Sequence, residues 1–141
     1  MKNYQFSMSK ILDLRVLKEE EAKKEFGIVK QTQQKHQAKL ATILSEKKNL
    51  AHGSQNITEM RLTHLYQNHL EELIQLEEEQ IQVIEQEVAV KLGVLVSAQK
   101  ERKILEKLEE KHYELFLDES KKAEQKMLDD MGTLRFGAAR Y

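Results

Sequence analysis

Apolar residues recur along most of the chain at alternating intervals of three and four, the spacing of one face of an α-helix. The most regular part begins at Ala22 and keeps a heptad register with polar residues near its middle. Its positions are Ala22, Phe26, Val29, Gln33, His36, Leu40, Ile43, Lys47 and Leu50. Polar members of a coiled-coil seam lower its stability and set its register. The pattern predicts a first helix that packs against another helix along this stripe.

A longer helical pattern follows, from about residue 57 to residue 131, and carries two adjacent stripes. One contains Leu62, Tyr66, His69, Leu73 and Leu76, and the other contains Leu70, Ile74, Ile81, Ile84, Val88, Leu95 and Ala98. After Ala98 the register shifts by one residue, to Glu101, Leu105, Leu108, His112 and Leu115. The apolar face near residues 62–76 is wider than a two-stranded seam requires, so we expect a partner outside the chain there.

The break between the two patterns is the stretch His52-Gly53-Ser54-Gln55-Asn56. Gly53 suits the left-handed position just past a helix C-terminus. Asn56, followed by Glu59, has the spacing of a capping box at the start of the next helix. We therefore predict an all-α fold, an antiparallel two-helix coiled coil (helical hairpin) with unequal arms and the second helix longer. The expected single domain, residues 1–141, has a first arm at about 7–51, a turn at 52–56, a second arm at about 57–131 and a disordered tail at 132–141.

A fold about residue 54 predicts which residues of the two arms face each other. Ala22 would lie near Gln86, and Met8 near Lys100. Residues past about 100 would then have no partner within the chain, although they include Leu105, Leu108 and Leu115. A long isolated helix with an apolar face is marginally stable, so we interpret this overhang as the working end. A homodimer of hairpins could also bury it.

Composition and charge agree with a helical hairpin. Charged residues form 33% of the chain and aromatic residues 6%, with no Trp, Pro or Cys, as in long helices. Residues 1–50 contain eleven Lys and Arg against six Asp and Glu, whereas residues 51–90 contain one against eight. Folding back therefore places a basic arm along an acidic one, which favours one pairing geometry.

The residues give little support for catalysis or for binding a cofactor, metal or nucleic acid. Cysteine is absent, and His64 and His69 are five residues apart rather than the four that place two ligands on one helical face. Glu109 and His112 form one Glu-x-x-His motif, but a di-iron bundle requires two with further glutamates. We expect no enzyme activity, no nucleic acid partner and no membrane insertion, since no stretch approaches 18 uncharged apolar residues.

Several segments resemble the flagellar export protein FliJ family. The opening Tyr4-Gln5-Phe6-Ser7, leading into Ile11-Leu12-Asp13-Leu14-Arg15 and then residues 18–26, is similar to that family's N-terminal arm. Tyr66-Gln67 through Glu78-Glu79-Gln80-Ile81 resembles the start of its second arm, and residues 100–110 and 127–130 also fit. The resemblance covers almost the whole chain.

The resemblance implies a non-enzymatic stalk and adaptor of the flagellar type III export apparatus. Its partners would be the hexameric flagellar export ATPase, whose ring it enters and helps to assemble, the membrane export gate protein and export chaperones. It would act in the cytoplasm at the inner face of the cell membrane, at the flagellar base. On this interpretation the candidate residues for ATPase contact are Met8, Ile11, Leu12, Arg15, Leu105, Leu108 and Leu115. The residues that match gate contacts are His69, Leu73, Leu76 and Gln80.

Two other interpretations fit the same patterns. One is the stalk of a virulence-type secretion system or a rotary ATPase, which composition does not separate from the flagellar one. The other is a dimeric coiled-coil scaffold without an ATPase partner. The scaffold predicts a stable homodimer, whereas the stalk predicts a chain that stimulates ring formation by an ATPase.

Overall fold

The computed structural model describes residues 3–50 and 56–139, with side chains described as far as residue 135. It contains two helices, α1 at Ser9–Asn49 and α2 at Ile57–Ala139, which pack against each other as an all-α helical hairpin with a longer second helix. The predicted fold class is confirmed. The predicted end of the second arm near Met131 is too early, because helical structure continues through most of the expected disordered tail.

Local signals explain where the helices meet the turn. Lys47 and Lys48 occupy the last turn of α1, where positive charge offsets the negative end of the helix dipole. At the start of α2 the Asn56 side-chain oxygen accepts a hydrogen bond from the backbone N–H of Thr58, at 3.2 Å. Asn56 is therefore the predicted N-cap. Gly53, which was predicted to lie just past the C-terminus of the first helix, is outside the described residues.

The chain divides into two compact units, each made of parts of both helices. We call residues 19–98 the hairpin unit, and residues 1–18 with 99–141 the terminal unit. In the hairpin unit every position of the stripe predicted for the first arm, from Ala22 to Leu50, is buried or half-buried. From α2 the buried residues are Leu70, Glu77, Ile81, Ile84, Leu95 and Ala98. One of the two stripes predicted for the second arm is thus the seam of this unit.

The pairing register in the hairpin unit corrects the sequence-based one. Ala22 packs with Leu95 and Ala98, roughly two to three helical turns beyond the predicted neighbour Gln86. The prediction placed residues that are equally far from residue 54 opposite each other, which assumes that α1 ends beside the start of α2. Glu46, close to the end of α1, instead meets Tyr66, so the first turns of α2 precede the paired region.

Charge pairing follows the predicted arrangement within the hairpin unit. The Lys39 ammonium lies 3.1 Å from a Glu77 oxygen, and that of Lys47 lies 3.3 Å from Glu71. Both pairs join the basic first arm to the acidic stretch of the second. The Lys47–Glu71 pair is exposed, and such a pair contributes only about 0.2–1 kcal/mol, so it selects the pairing geometry more than it stabilises it.

Candidate protein-binding surfaces

The terminal unit is held together by aromatic residues that precede α1. The Phe6 side chain is buried, and its ring contacts the His112 ring edge-on at 5.6 Å. The Tyr4 ring packs edge-on against Tyr113 at 5.1 Å, and its hydroxyl donates a hydrogen bond to the Glu109 carbonyl oxygen. Partial burial raises the pKa of the Tyr4 phenol above its usual value, and the nearby Glu109 carboxylate adds to the shift.

These contacts correct the prediction that α2 has no partner within the chain beyond about residue 100. In the terminal unit Arg15 pairs with Glu101, about two helical turns beyond the position opposite it in a fold about residue 54. The segment before α1 continues this pairing as far along α2 as Phe116, whose ring lies 5.4 Å from that of Tyr4. A Tyr and a Phe shortly before the first arm were the available signal in the sequence.

All seven candidate residues for ATPase contact lie in the terminal unit, with unequal exposure. Met8, Ile11 and Leu115 are exposed, whereas Leu12, Leu105 and Leu108 are half-buried. A guanidinium nitrogen of Arg15 lies 2.6 Å from a Glu101 carboxylate oxygen. Arg15 is thus engaged within the unit, and the exposed apolar side chains are the ones available to a partner. Further large exposed apolar residues of this unit are Leu14, Leu17, Ile104, Leu117, Met127, Leu128, Met131 and Leu134.

The four residues that match gate contacts lie in the hairpin unit on α2. His69, Leu76 and Gln80 are exposed, and Leu73 is half-buried. The His69 ring lies 6.3 Å from the Tyr66 ring. Leu76 and Gln80 line a shallow groove together with His36, Glu79, Val83 and Ile84. The stripe of α2 that was expected to need an outside partner is therefore the one that α1 leaves mostly exposed.

Val83 was missed by the sequence interpretation, although it continues the three-and-four spacing after Gln80. The polar residues Gln80 and Glu87 interrupt the stripe at this point and hid the continuation. The structure adds Val83 to the stripe, because its exposed side chain lines the same groove as Leu76.

A polar cluster in the seam includes His36, one of the residues that line this groove. Glu77 is buried, and one of its carboxylate oxygens lies 2.7 Å from His36 Nδ1 while the other lies 3.1 Å from the Lys39 ammonium. The hydrogen bond with His36 lowers the pKa of the Glu77 carboxyl, and the Lys39 ammonium acts in the same direction against burial. His36 was predicted as a polar seam residue, and Glu77 supplies its partner.

Other kinds of site are scarce in the described parts of the chain. Across residues 3–50 and 56–139, histidine and carboxylate side chains do not gather in threes as metal ligands would. Neither α1 nor the described length of α2 has a segment long and apolar enough to cross a membrane. The exposed apolar surfaces of the two units are therefore the candidate functional sites.

Both units carry large exposed apolar side chains on helices that are otherwise rich in charged residues. The chain matches the family model described as "Flagellar FliJ protein" over residues 4–140, and it belongs to that family. This membership assigns it a role connected with flagellar protein export. Comparisons with the curated proteins and with the solved structures return no match.

Proposed function

We propose that the chain is a stalk and adaptor of the flagellar type III export apparatus. In this role the terminal unit enters the hexameric export ATPase and promotes its assembly, and the hairpin unit contacts the membrane export gate protein at the flagellar base. Escort of export chaperones would be a further part of the same role. The observation that carries the proposal is the exposed apolar surface on both helices of the terminal unit, which includes Ile11 and Leu115.

Protein partners are the expected occupants of such surfaces, because large exposed apolar patches mark interaction sites. Ile11 is 45% exposed and Leu115 is 59% exposed, so a large part of each side chain is open to a partner. By contrast, the aromatic contacts of Tyr4 and Phe6 hold this unit together. Binding to the ATPase ring can therefore be tested separately from folding, by substituting exposed residues and leaving Tyr4 and Phe6 unchanged.

The test is reconstitution with the purified export ATPase. The full chain is expected to increase the fraction of ATPase hexamers, measured by sedimentation velocity, and to raise the rate of ATP hydrolysis. The double variant Ile11→Asp, Leu115→Asp should weaken both effects by about tenfold or more, as loss of central apolar contacts does. Leu92→Asp, at an exposed apolar position of the hairpin unit, is the matched control and should behave like the wild type.

A wild-type chain that leaves the ATPase unchanged would contradict the stalk role. A stable homodimer that is dissociated by Ile11→Asp, Leu115→Asp would favour the dimeric scaffold. Circular dichroism of both variants establishes that the helices are retained, so that loss of stimulation reports binding rather than unfolding.

Gate binding is tested separately in the hairpin unit. Leu76→Ala removes an exposed side chain, and Leu73→Ala removes a half-buried one. The double variant should bind the cytoplasmic part of the gate protein about tenfold more weakly. Unchanged binding would exclude this stripe as the gate contact, whatever the outcome with the ATPase.

A further inference from the structure

The exposed stripe of the hairpin unit continues well beyond the four residues that match gate contacts. Its positions alternate by three and four along α2 at Leu62, Tyr66, His69, Leu73, Leu76, Gln80, Val83, Glu87, Val90 and Val94. We call this set the outward stripe. Leu73 is half-buried and the other nine are exposed. At 1.5 Å per residue the stripe is about 48 Å long.

The outward stripe has the spacing of a second coiled-coil seam. Its members lie one residue before those of the buried seam, for example Leu76 beside Glu77, Val83 beside Ile84 and Val94 beside Leu95. A helix with two offset heptad stripes can pack against two helices at once. Since α1 covers the buried seam, the outward stripe is suited to one further helix.

The charges beside the stripe indicate the chemistry of that helix. Glu72 and Glu79 occupy the positions just before Leu73 and Gln80, which flank the stripe, and Glu87 lies within it. Glu79 also lines the groove formed with Leu76 and Val83. The nearby Glu71 and Glu77 differ, because they pair with Lys47 and Lys39 of α1. Flanking acidic residues favour a partner with Lys or Arg at the facing positions.

The same charges disfavour a second copy of this chain as the occupant. Over the length of the stripe, residues 62–94, the single Lys or Arg is Lys91, against seven glutamates, and Lys91 is paired with Glu25 of α1. Two copies paired through the outward stripe would bring the flanking glutamates of one against those of the other, and like charges beside a coiled-coil seam oppose pairing.

We infer that the outward stripe is the docking face for one amphipathic helix of a partner protein, with apolar residues in heptad spacing and basic residues on its flanks. This inference deepens the proposed gate contact, which involves the part of the stripe from His69 to Gln80. It adds that the occupant is a basic helix and that its contact extends to Val83 and Val90.

The inference can be tested without any component of the export apparatus. The probes are two synthetic helical peptides, each about four heptads long, with Leu at the seam positions and either Lys or Glu at all flanking positions. Binding to the full-length protein is measured by fluorescence anisotropy at low and high salt. The Lys-flanked peptide should bind about tenfold more tightly than the Glu-flanked one, and added salt should reduce the difference.

Variants locate the bound peptide. Val83→Glu, Val90→Glu should weaken binding of the Lys-flanked peptide by about tenfold, whereas Leu92→Glu should change it by less than about twofold. Val83, Val90 and Leu92 are all exposed, but Leu92 lies on the opposite side of α2 from the stripe. Glu72→Lys, Glu79→Lys should reverse the preference toward the Glu-flanked peptide.

Three results would overturn the inference. They are equal binding of the two peptides, binding unaffected by Val83→Glu, Val90→Glu, and a wild-type dimer in sedimentation equilibrium that these substitutions dissociate. Failure of the ATPase or gate assays alone would contradict the proposed function and would leave the peptide result standing.

Discussion

The buried seam and the outward stripe of α2 have nearly the same spacing and different surroundings. Leu70 in the seam is 2% exposed, whereas Leu76 in the outward stripe is 57% exposed. Both belong to heptad patterns with apolar and polar members. The comparison shows that a heptad stripe predicts a helix-packing face without identifying the helix that packs on it. Stability should depend on the seam, and binding should depend on the outward stripe.

The largest expected difference between the two stripes is in stability. Leu70→Ala should lower the free energy of unfolding by about 2–5 kcal/mol, because it leaves a cavity in the seam. Leu76→Ala should change it by less than about 0.5 kcal/mol, since the side chain is already in solvent. Chemical denaturation followed by circular dichroism measures both. Equal effects would remove the distinction between the stripes.

The buried glutamate gives the next prediction. Glu77→Gln should destabilise the chain by roughly 1–3 kcal/mol at neutral pH, because His36 and Lys39 would lose their charged partner. The Glu77 pKa is lowered in the folded state from its ordinary value of 4.5. Its contribution is therefore present above about pH 4.5 and is lost as the pH falls through the folded-state value.

The pH dependence separates this role from simple packing. Between pH 7 and acid, the wild type should lose more stability than Glu77→Gln, and the two unfolding curves should converge. Glu79→Gln, on the exposed flank, serves as the control and should follow the wild type. A constant difference between wild type and Glu77→Gln at all pH values would contradict a charged Glu77.

A tight contact in the seam can also be tested by added volume. Ala98 is buried against Ala22 and Leu95, so Ala98→Leu should cost about 1–3 kcal/mol through overpacking. Ala89→Leu, at an exposed position of the same helix, should change the unfolding free energy by less than about 0.5 kcal/mol. A neutral Ala98→Leu would mean that the two helices are less closely packed there.

The smallest prediction concerns a position outside both stripes. Gly93 is helical, and an added Cβ would meet no atom within 4 Å. Gly93→Ala should therefore stabilise the chain by up to about 1 kcal/mol, because alanine loses less backbone freedom in a helix. A destabilised variant would indicate that this backbone position is closely approached by another group.

Local rules accounted for much of what was predicted. The spacing from Ala22 to Leu50 predicted the seam of α1, and the second arm was predicted to carry two adjacent stripes, one of which is its partner. Asn56 was predicted to cap α2 from its residue type and position. Each of these depends on residues within a few helical turns, where periodicity and capping act. The roles of the candidate contacts, including Ile11, Leu115 and Leu76, stay predictions.

The sequence by itself determined that this chain forms two long helices, where the break between them lies, and which helix faces are apolar. The tertiary structure alone decided which residues of the two helices face each other, how far Tyr4 and Phe6 extend along α2, and which of two stripes is buried. The physical reason is that heptad positions repeat every seven residues, so sliding one helix by two turns presents an equivalent seam. Particular contacts, such as Glu77 with His36, Glu46 with Tyr66 and Phe6 with His112, select one of these alignments.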